Sequence, residues 1–177
     1  MLGYADCAIL VIVFGGRRFK RFALVAGVVL ALPLVARAAE DALPLPRFVS
    51  LRSEDVNVRT GPGVRYPIDW VLRRKAMPVE ILDQFETSRK IRDWEGGIGW
   101  VHQSMLSGRR MILVTGAVRS IRGKPDPQGE TLATVEPGVV GKLLECQRQW
   151  CRVDVGGRRG WLLRTEFWGV YPNETIE

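Results

Sequence analysis

His102 is the only histidine in a chain of 177 residues, so it is the only imidazole that could serve a hydrolytic site. A serine or cysteine nucleophile needs such a base within hydrogen-bond reach. No G-x-S-x-G elbow or cysteine-nucleophile context accompanies His102. It follows Gly99-Trp100-Val101 on or just after a strand, where alternation turns it away from Val101, and it reads as a surface histidine. Cys146 and Cys151 flank Gln147-Arg148-Gln149-Trp150, a polar tip between two apolar runs. Such positions face each other across a hairpin within disulfide reach. Two thiols and one imidazole fall short of a four-ligand zinc site, so a disulfide is expected and no metal.

Paired carboxylates are the other arrangement to test, because a cell-wall glycosidase needs two facing each other at about 5 to 9.5 Å. Asp93, Glu95 and Asp154 fall at strand ends or turns and read as solvated turn acids. Gly96-Gly97 and Gly156-Gly157 sit between strands, where tight hairpin turns need positive φ. Neither a G-x-x-x-x-G-K-S/T phosphate loop nor an H-E-x-x-H zinc motif is present. The chain therefore reads as non-enzymatic: no catalytic residue and no cofactor is expected.

Aromatic side chains give the better lead. The six tryptophans are Trp70, Trp94, Trp100, Trp150, Trp161 and Trp168. Trp100 and Trp161, each following a glycine, are expected in the core, since large aromatics dominate the energetics of small domains. Tyr66 and Trp94 lie near loops with Arg59, Arg65 and Arg92. An aromatic shelf edged by arginines suits peptides, carboxylates or sugar faces through stacking and bidentate contacts. Arg59, Tyr66, Arg92 and Trp94 are accordingly the candidate ligand-binding residues.

The elements that must hold these residues come after a leader. Arg17-Arg18-Phe19-Lys20-Arg21 is a compact positive run, Phe22 to Val35 is apolar, and Ala36-Arg37-Ala38-Ala39 offers small residues for cleavage. That order reads as a secretory signal over residues 1–39, cut after Ala38 or Ala39. The apolar run is about 14 residues, short of the roughly 20 that span a bilayer. A second apolar stretch, Ala8 to Phe14, leaves two alternatives: translation starts near Arg17, or both stretches form a retained anchor. Cys7 follows Tyr4-Ala5-Asp6, which is not a lipid-attachment context. Export to the periplasm or beyond agrees with a disulfide, which persists in oxidising compartments. Removing the leader's five basic residues and its one acid reduces the net charge from +7 to +3, which carries no nucleic-acid reading.

Residues 40–47 form a proline-bearing linker. Beyond it apolar and polar residues alternate in short bursts, as in Asp55-Val56-Asn57-Val58-Arg59, Val79-Glu80-Ile81-Leu82 and Met111-Ile112-Leu113-Val114. Turn signals such as Thr60-Gly61-Pro62-Gly63 punctuate them, and the pattern predicts an all-β barrel or sandwich. It also repeats. Val56-Asn57-Val58-Arg59 through Met77-Pro78-Val79 to Gly99-Trp100-Val101 has a counterpart in Arg119-Ser120-Ile121-Arg122 through Glu136-Pro137-Gly138 to Gly160-Trp161-Leu162. Arg59 to Trp100 is 41 positions and Arg122 to Trp161 is 39. Two units are expected, residues 48–115 and 116–177, each small enough to be marginal alone.

The ordered set V-N-V-R-T-G-P-G, an apolar strand after Pro or Gly, a Trp-x-x-Val strand and a closing G-W-V/L resembles bacterial Src-homology-3-like domains. Cys146 and Cys151 around Trp150, with W-G-V-Y-P-N at the end, make the tandem similar to exported alphaproteobacterial members. The resemblance covers roughly residues 48–172. It implies an all-β chain of two tandem small SH3-like barrels after an N-terminal signal helix, each barrel five-stranded, with peptide or cell-wall binding in some members. Two departures stand out: the second copy lacks G-P-G, and Ser88 replaces the tryptophan that the second copy has at Trp150. The function expected is recognition of peptidoglycan or of an envelope protein or peptide, without nucleic acid, and with the membrane met only through the signal segment. A structural scaffold for oligomerisation and a small cell-wall hydrolase are the alternatives.

Overall fold

In the segment Asp55–Arg59, Val56 and Val58 are buried while Asp55 and Asn57 are exposed, so alternation sets the face each residue shows. A computed structural model describes residues 43–177. The leader expected over residues 1–39 lies outside them. Seven strands make the first sheet: β1 (Arg47–Leu51), β2 (Asp55–Arg59), β3 (Ile68–Arg73), β4 (Pro78–Phe85), β5 (Ser88–Arg92), β6 (Ile98–His102) and β7 (Leu106–Ser107). Seven more make the second: β8 (Met111–Val114), β9 (Arg119–Arg122), β10 (Thr131–Val135), β11 (Val140–Gln147), β12 (Trp150–Val155), β13 (Arg158–Leu163) and β14 (Phe167–Trp168). The only helical elements among the described residues are two 3-10 turns, Gln103–Met105 and Arg164–Glu166. The described residues are all-β, in two tandem seven-stranded copies.

Strand order is β3-β2-β6-β5-β4-β1-β7 in one sheet and β10-β9-β13-β12-β11-β8-β14 in the other, the same path through seven segments. All pairings are antiparallel. A register shift falls between Ile81 and Asp83 in β4 and between Leu143 and Glu145 at the matching place in β11. Such bulges bend a long strand so that it can serve both sides of a small barrel. Seven segments pair in each copy where the resemblance implies five; the two-residue β7 and β14 are among them, returning the chain to β1 and β8.

Each copy has its own core. Val49, Val58, Val79, Ile81, Ile91 and Val101 centre the first; Ile112, Ile121, Leu143, Val153, Leu162 and the Cys146–Cys151 pair centre the second. Each fully buried aliphatic side chain contributes roughly 1.5–3 kcal/mol, against a backbone ordering cost of similar size per residue. Two cores this small leave little margin, and the described strands belong to one compact unit.

Trp100 and Trp161 are not core residues. On β6, Gly99 and Val101 are buried, while Trp100 is half-buried on the opposite face with Ile98 and His102 exposed beside it. On β13, Gly160 and Leu162 are buried and Trp161 is half-buried. The glycine is the inward residue because the neighbouring strand passes close. A Cβ at Gly99 would sit 2.3 Å from Val58 Cγ1, and one at Gly160 2.5 Å from Ile121 Cγ2. Once glycine takes the inward position, alternation sends the tryptophan out and brings the next aliphatic in. Asp93 also departs from its reading: it is buried, and its Oδ1 accepts from the N–H groups of Glu95 at 3.0 Å and Gly97 at 2.7 Å. It organises its turn rather than facing solvent.

Candidate functional site

Arg59 ends β2 and turns back over the loop that follows. Its Nη1 donates to the carbonyls of Val64 at 3.3 Å and Tyr66 at 2.7 Å. Arg122, in the matching place on β9, donates to Gly129 O at 2.9 Å. The arginine closing each copy's second strand is therefore a loop clamp in both. Tyr66 is 42% exposed, with its ring against Gly61, where a Cβ would meet Cδ1 at 2.3 Å.

Arg92 goes elsewhere. Its Nε and Nη2 donate to Glu80 Oε2 at 2.9 and 2.5 Å, and its guanidinium carbon lies 5.9 Å from the Trp168 ring centroid. Glu80, on β4, is only 2% exposed, and its other oxygen accepts from Tyr171 Oη at 2.8 Å. Phe48 of β1 packs edge-on against Trp168 at 5.0 Å and tilted by 45° against Tyr171 at 4.8 Å, with Arg110 over its ring. Together these side chains bolt the first copy to the end of the second. The segment after β14 is held in turn: Arg110 forms a bidentate pair with Glu174 and donates to Gly169 O at 2.9 Å.

Two titrations follow from this joint. Burial first, then the hydrogen bond to Glu80 and the charges of Glu80 and Glu174, raise the Tyr171 hydroxyl far above an ordinary phenol, with Arg110 opposing. Burial tends to raise the Glu174 carboxyl. The hydrogen bonds from Arg110 and the Tyr171 N–H, with the charges of Arg110 and Arg164, outweigh burial and hold it below the ordinary carboxylate value.

Trp94 stands in the β5–β6 loop, 45% exposed, beside a groove of about 480 Å³. Trp70 and Arg73 of β3 line the groove with it, as do Arg74, Asp93 and Glu95; Leu113 and Gly138 complete the wall from the second copy. Arg74 donates to Gly138 O across the two copies. The four candidate residues thus divide three ways: Arg59 and Tyr66 in one loop, Arg92 in the joint, and Trp94 in the groove. Among the described residues no hydrogen bond, aromatic contact or shared hollow joins the three places.

Sequence reasoning missed Trp70, Arg73 and Arg74 at the groove and Glu80, Trp168 and Tyr171 at the joint. One signal was available for the joint: Glu80 is a lone charge in the apolar run Pro78-Val79-Glu80-Ile81-Leu82. His102 is exposed; its Nδ1 accepts from the Ser104 N–H at 3.2 Å and lies 2.7 Å from Ser104 Oγ, capping the 3-10 turn. Among the described residues no three His, Cys, Asp or Glu side chains converge as a metal site. Cys146 and Cys151 are register partners joined by a disulfide, with Cα atoms 4.1 Å apart.

Comparison with solved structures finds similarity to the Trichomonas vaginalis proteins NlpC2 and NlpC1. Identity to NlpC2 is 14% at a TM-score of 0.34, over 72% of this chain and 49% of that one. Identity to NlpC1 is 15% at a TM-score of 0.34, over 73% and 48%. An NlpC/P60 family protein from Bacillus cereus ATCC 10987 is 13% identical at a TM-score of 0.31, over 68% of this chain and 55% of that one. The chain spans about half the length of these structures. No curated protein was found to match the sequence. The family model described as Bacterial SH3 domain matches twice, over residues 52–108 and 117–169. Two matches in the same order as two sheets of identical strand path leave one assignment: the chain belongs to the bacterial SH3 domain family.

Proposed function

We propose that this is an exported, non-enzymatic binding protein of the cell envelope, and that the groove between its two copies takes a peptide-bearing envelope ligand, either peptidoglycan or an envelope protein. The observation that carries this reading is the groove beside Trp94, where two indoles, two arginines and two carboxylates of the first copy line a hollow that Leu113 and Gly138 of the second copy close. Indole faces bind apolar and cationic groups, and the arginines pair bidentately with carboxylates. A mixed rim of this kind fits a chain carrying both amide and acid groups. Export supports the envelope as location and rests on the charged run, apolar stretch and small-residue site before Glu40.

Purified protein is incubated with isolated sacculi and, separately, with an envelope extract, and the bound fraction is compared with Trp94→Ala and Tyr66→Ala. Loss of binding in Trp94→Ala at an unchanged melting temperature supports the groove. Loss in Tyr66→Ala alone moves the site to the Arg59 loop. Binding unchanged in both disposes of the reading, and lysis of sacculi in a zymogram disposes of its non-enzymatic half.

A further inference from the structure

The turn between β11 and β12 carries a second, chemically different surface. Gln147 pairs with Trp150, leaving Arg148-Gln149 as a two-residue turn with Arg148 at φ 47°. The first copy makes the same turn between β4 and β5, where Phe85 pairs with Ser88 and Glu86 sits at φ 47°. The fold thus demands the turn but not its chemistry. The second copy has replaced Phe-Glu-Thr-Ser by Gln-Arg-Gln-Trp and placed a disulfide immediately beneath.

Hollows of about 460 and 680 Å³ flank this tip, and Arg148 and Gln149 line both. The side-chain amides of Gln147, Gln149 and Asn173 have no hydrogen-bond partner, and Arg148 pairs with no acid, among the described residues. Among the described residues no carboxylate lines either hollow, while Trp150 and Pro125 supply an apolar flank to the larger one. The tip is held from both sides. Cys146–Cys151 ties its base, and Arg164 reaches in from the far wall to bind the Arg148 carbonyl through Nε and the Gln149 carbonyl through its backbone N–H at 2.9 Å. Arg164 is itself fixed by the carbonyls of Tyr171 at 2.8 Å and Glu174 at 2.5 Å. Fixing the groups beforehand reduces the ordering cost of binding.

We propose that this tip is a second ligand site, for an acidic saccharide that also carries acetamido groups. Free amides, an unpaired guanidinium and an indole beside a proline match ring hydroxyls, acetamido groups, a carboxylate and a sugar's C–H face. A peptide bound as an added strand would be read mainly through its backbone, at a free strand edge. Here β12 is paired on both sides by β11 and β13, and the outer side of β11 at the base of the tip is bridged by Ile176, whose carbonyl accepts from the Cys146 N–H at 2.8 Å, so the tip presents side chains rather than an edge. Glu86 at the matching turn of the first copy would repel the same ligand, so the site is single.

Calorimetric titration of the disulfide-intact protein with three probes tests this: a hyaluronan hexasaccharide (acetamido and carboxylate), chitohexaose (acetamido alone) and a hexaglutamate peptide (carboxylate alone). The hyaluronan fragment should bind tightest, and Arg148→Asn, which tolerates the left-handed turn, should weaken it at least tenfold at an unchanged melting temperature. Gln149→Glu should weaken it likewise, and Trp94→Ala should leave it unaltered. Equal binding of hexaglutamate, no saccharide binding at millimolar concentration, or indifference to both tip substitutions would overturn the proposal. None of these results bears on the groove beside Trp94, which the sacculus experiment tests separately.

Discussion

Tyr171→Phe removes one oxygen and nothing else, and it does so where the two copies are bolted together. Glu80 is 2% exposed and accepts from Tyr171 Oη at 2.8 Å on one oxygen and from Arg92 on the other. Water cannot readily replace the lost donor at a carboxylate this deep. A hydrogen bond to a charged group contributes about 1.5–3 kcal/mol, and Arg92 continues to neutralise the charge, so the variant should lose about that much. For two copies that unfold together, a loss of this size lowers the melting temperature by about 5–10 °C. Tyr66→Phe, at an exposed ring whose hydroxyl has no partner among the described residues, is the control and should stay within about 0.5 kcal/mol.

The pH dependence makes the test sharper. The folded Tyr171 hydroxyl titrates above the ordinary phenol value of 10.0. A raised folded value means that the stabilisation is fully present below about pH 10, where both states hold the proton. Above that the unfolded phenol ionises first, and the stabilisation is lost as the pH climbs toward the folded value. The stability gap between the parent protein and Tyr171→Phe should be constant from about pH 6 to 9 and close by about 1.4 kcal/mol per pH unit above 10. Urea midpoints of both proteins across that range measure it. A loss under about 0.5 kcal/mol, or a gap that stays flat in alkali, would refute the joint as the seat of the stabilisation.

Glu174 titrates in the opposite sense. Its folded value lies below the ordinary 4.5, so its contribution is present above that value and lost as acid carries the pH through the folded one; Glu174→Gln should flatten the acid limb of the stability curve, read by chemical denaturation between about pH 5 and 2. The Cys146–Cys151 bond closes a short loop at a sequence separation of 5, so the double serine variant should lose about 2 kcal/mol by urea denaturation, and more only if the two buried hydroxyls stay unpaired. Gly99→Ala drives a methyl to 2.3 Å from Val58 and Gly160→Ala to 2.5 Å from Ile121, so each should cost about 1–3 kcal/mol by overpacking, measured from thermal melts; free tolerance of either would show that the strands there can part.

Local chemistry made much of this architecture readable. Alternation in Asp55–Arg59 fixed the buried face of β2, and the spacing from Arg59 to Trp100 and from Arg122 to Trp161 reported a strand path that both sheets then follow. The cysteine pair could be read because four residues between two thiols leave a hairpin few options. Trp100 was harder: its size argued for the core, while the glycine before it had already taken the inward position because Val58 passes so close. Arg59 was misleading in another way. An arginine near an exposed tyrosine looks like a ligand group, yet its charge is spent on two carbonyls of its own loop. The joint was out of reach, since Glu80 and Tyr171 meet across a separation of 91 residues that no periodicity encodes.

The places that carry distinct chemistry are those where the two copies cease to match. At the joint, Phe48 and Glu80 hold register positions that Met111 and Lys142 occupy in the second sheet, and Trp168 stands where the first sheet has Ser107. Trp94 rides on a loop of five residues between Arg92 and Ile98, whereas Gly156-Gly157 alone joins Val155 to Arg158. The hairpin tip has exchanged Glu86 for Arg148 on an unchanged turn. Several core positions, by contrast, exchange one aliphatic for another, as Ile81 for Leu143 or Val101 for Leu162, while the cystine replaces Gln84 and Arg89 of the first copy. A repeated barrel needs its interior twice but its surface only once, so the residues that break the repeat are the ones free to answer to partners. One class of them joins the copies into a unit, and the other gives that unit two unlike faces.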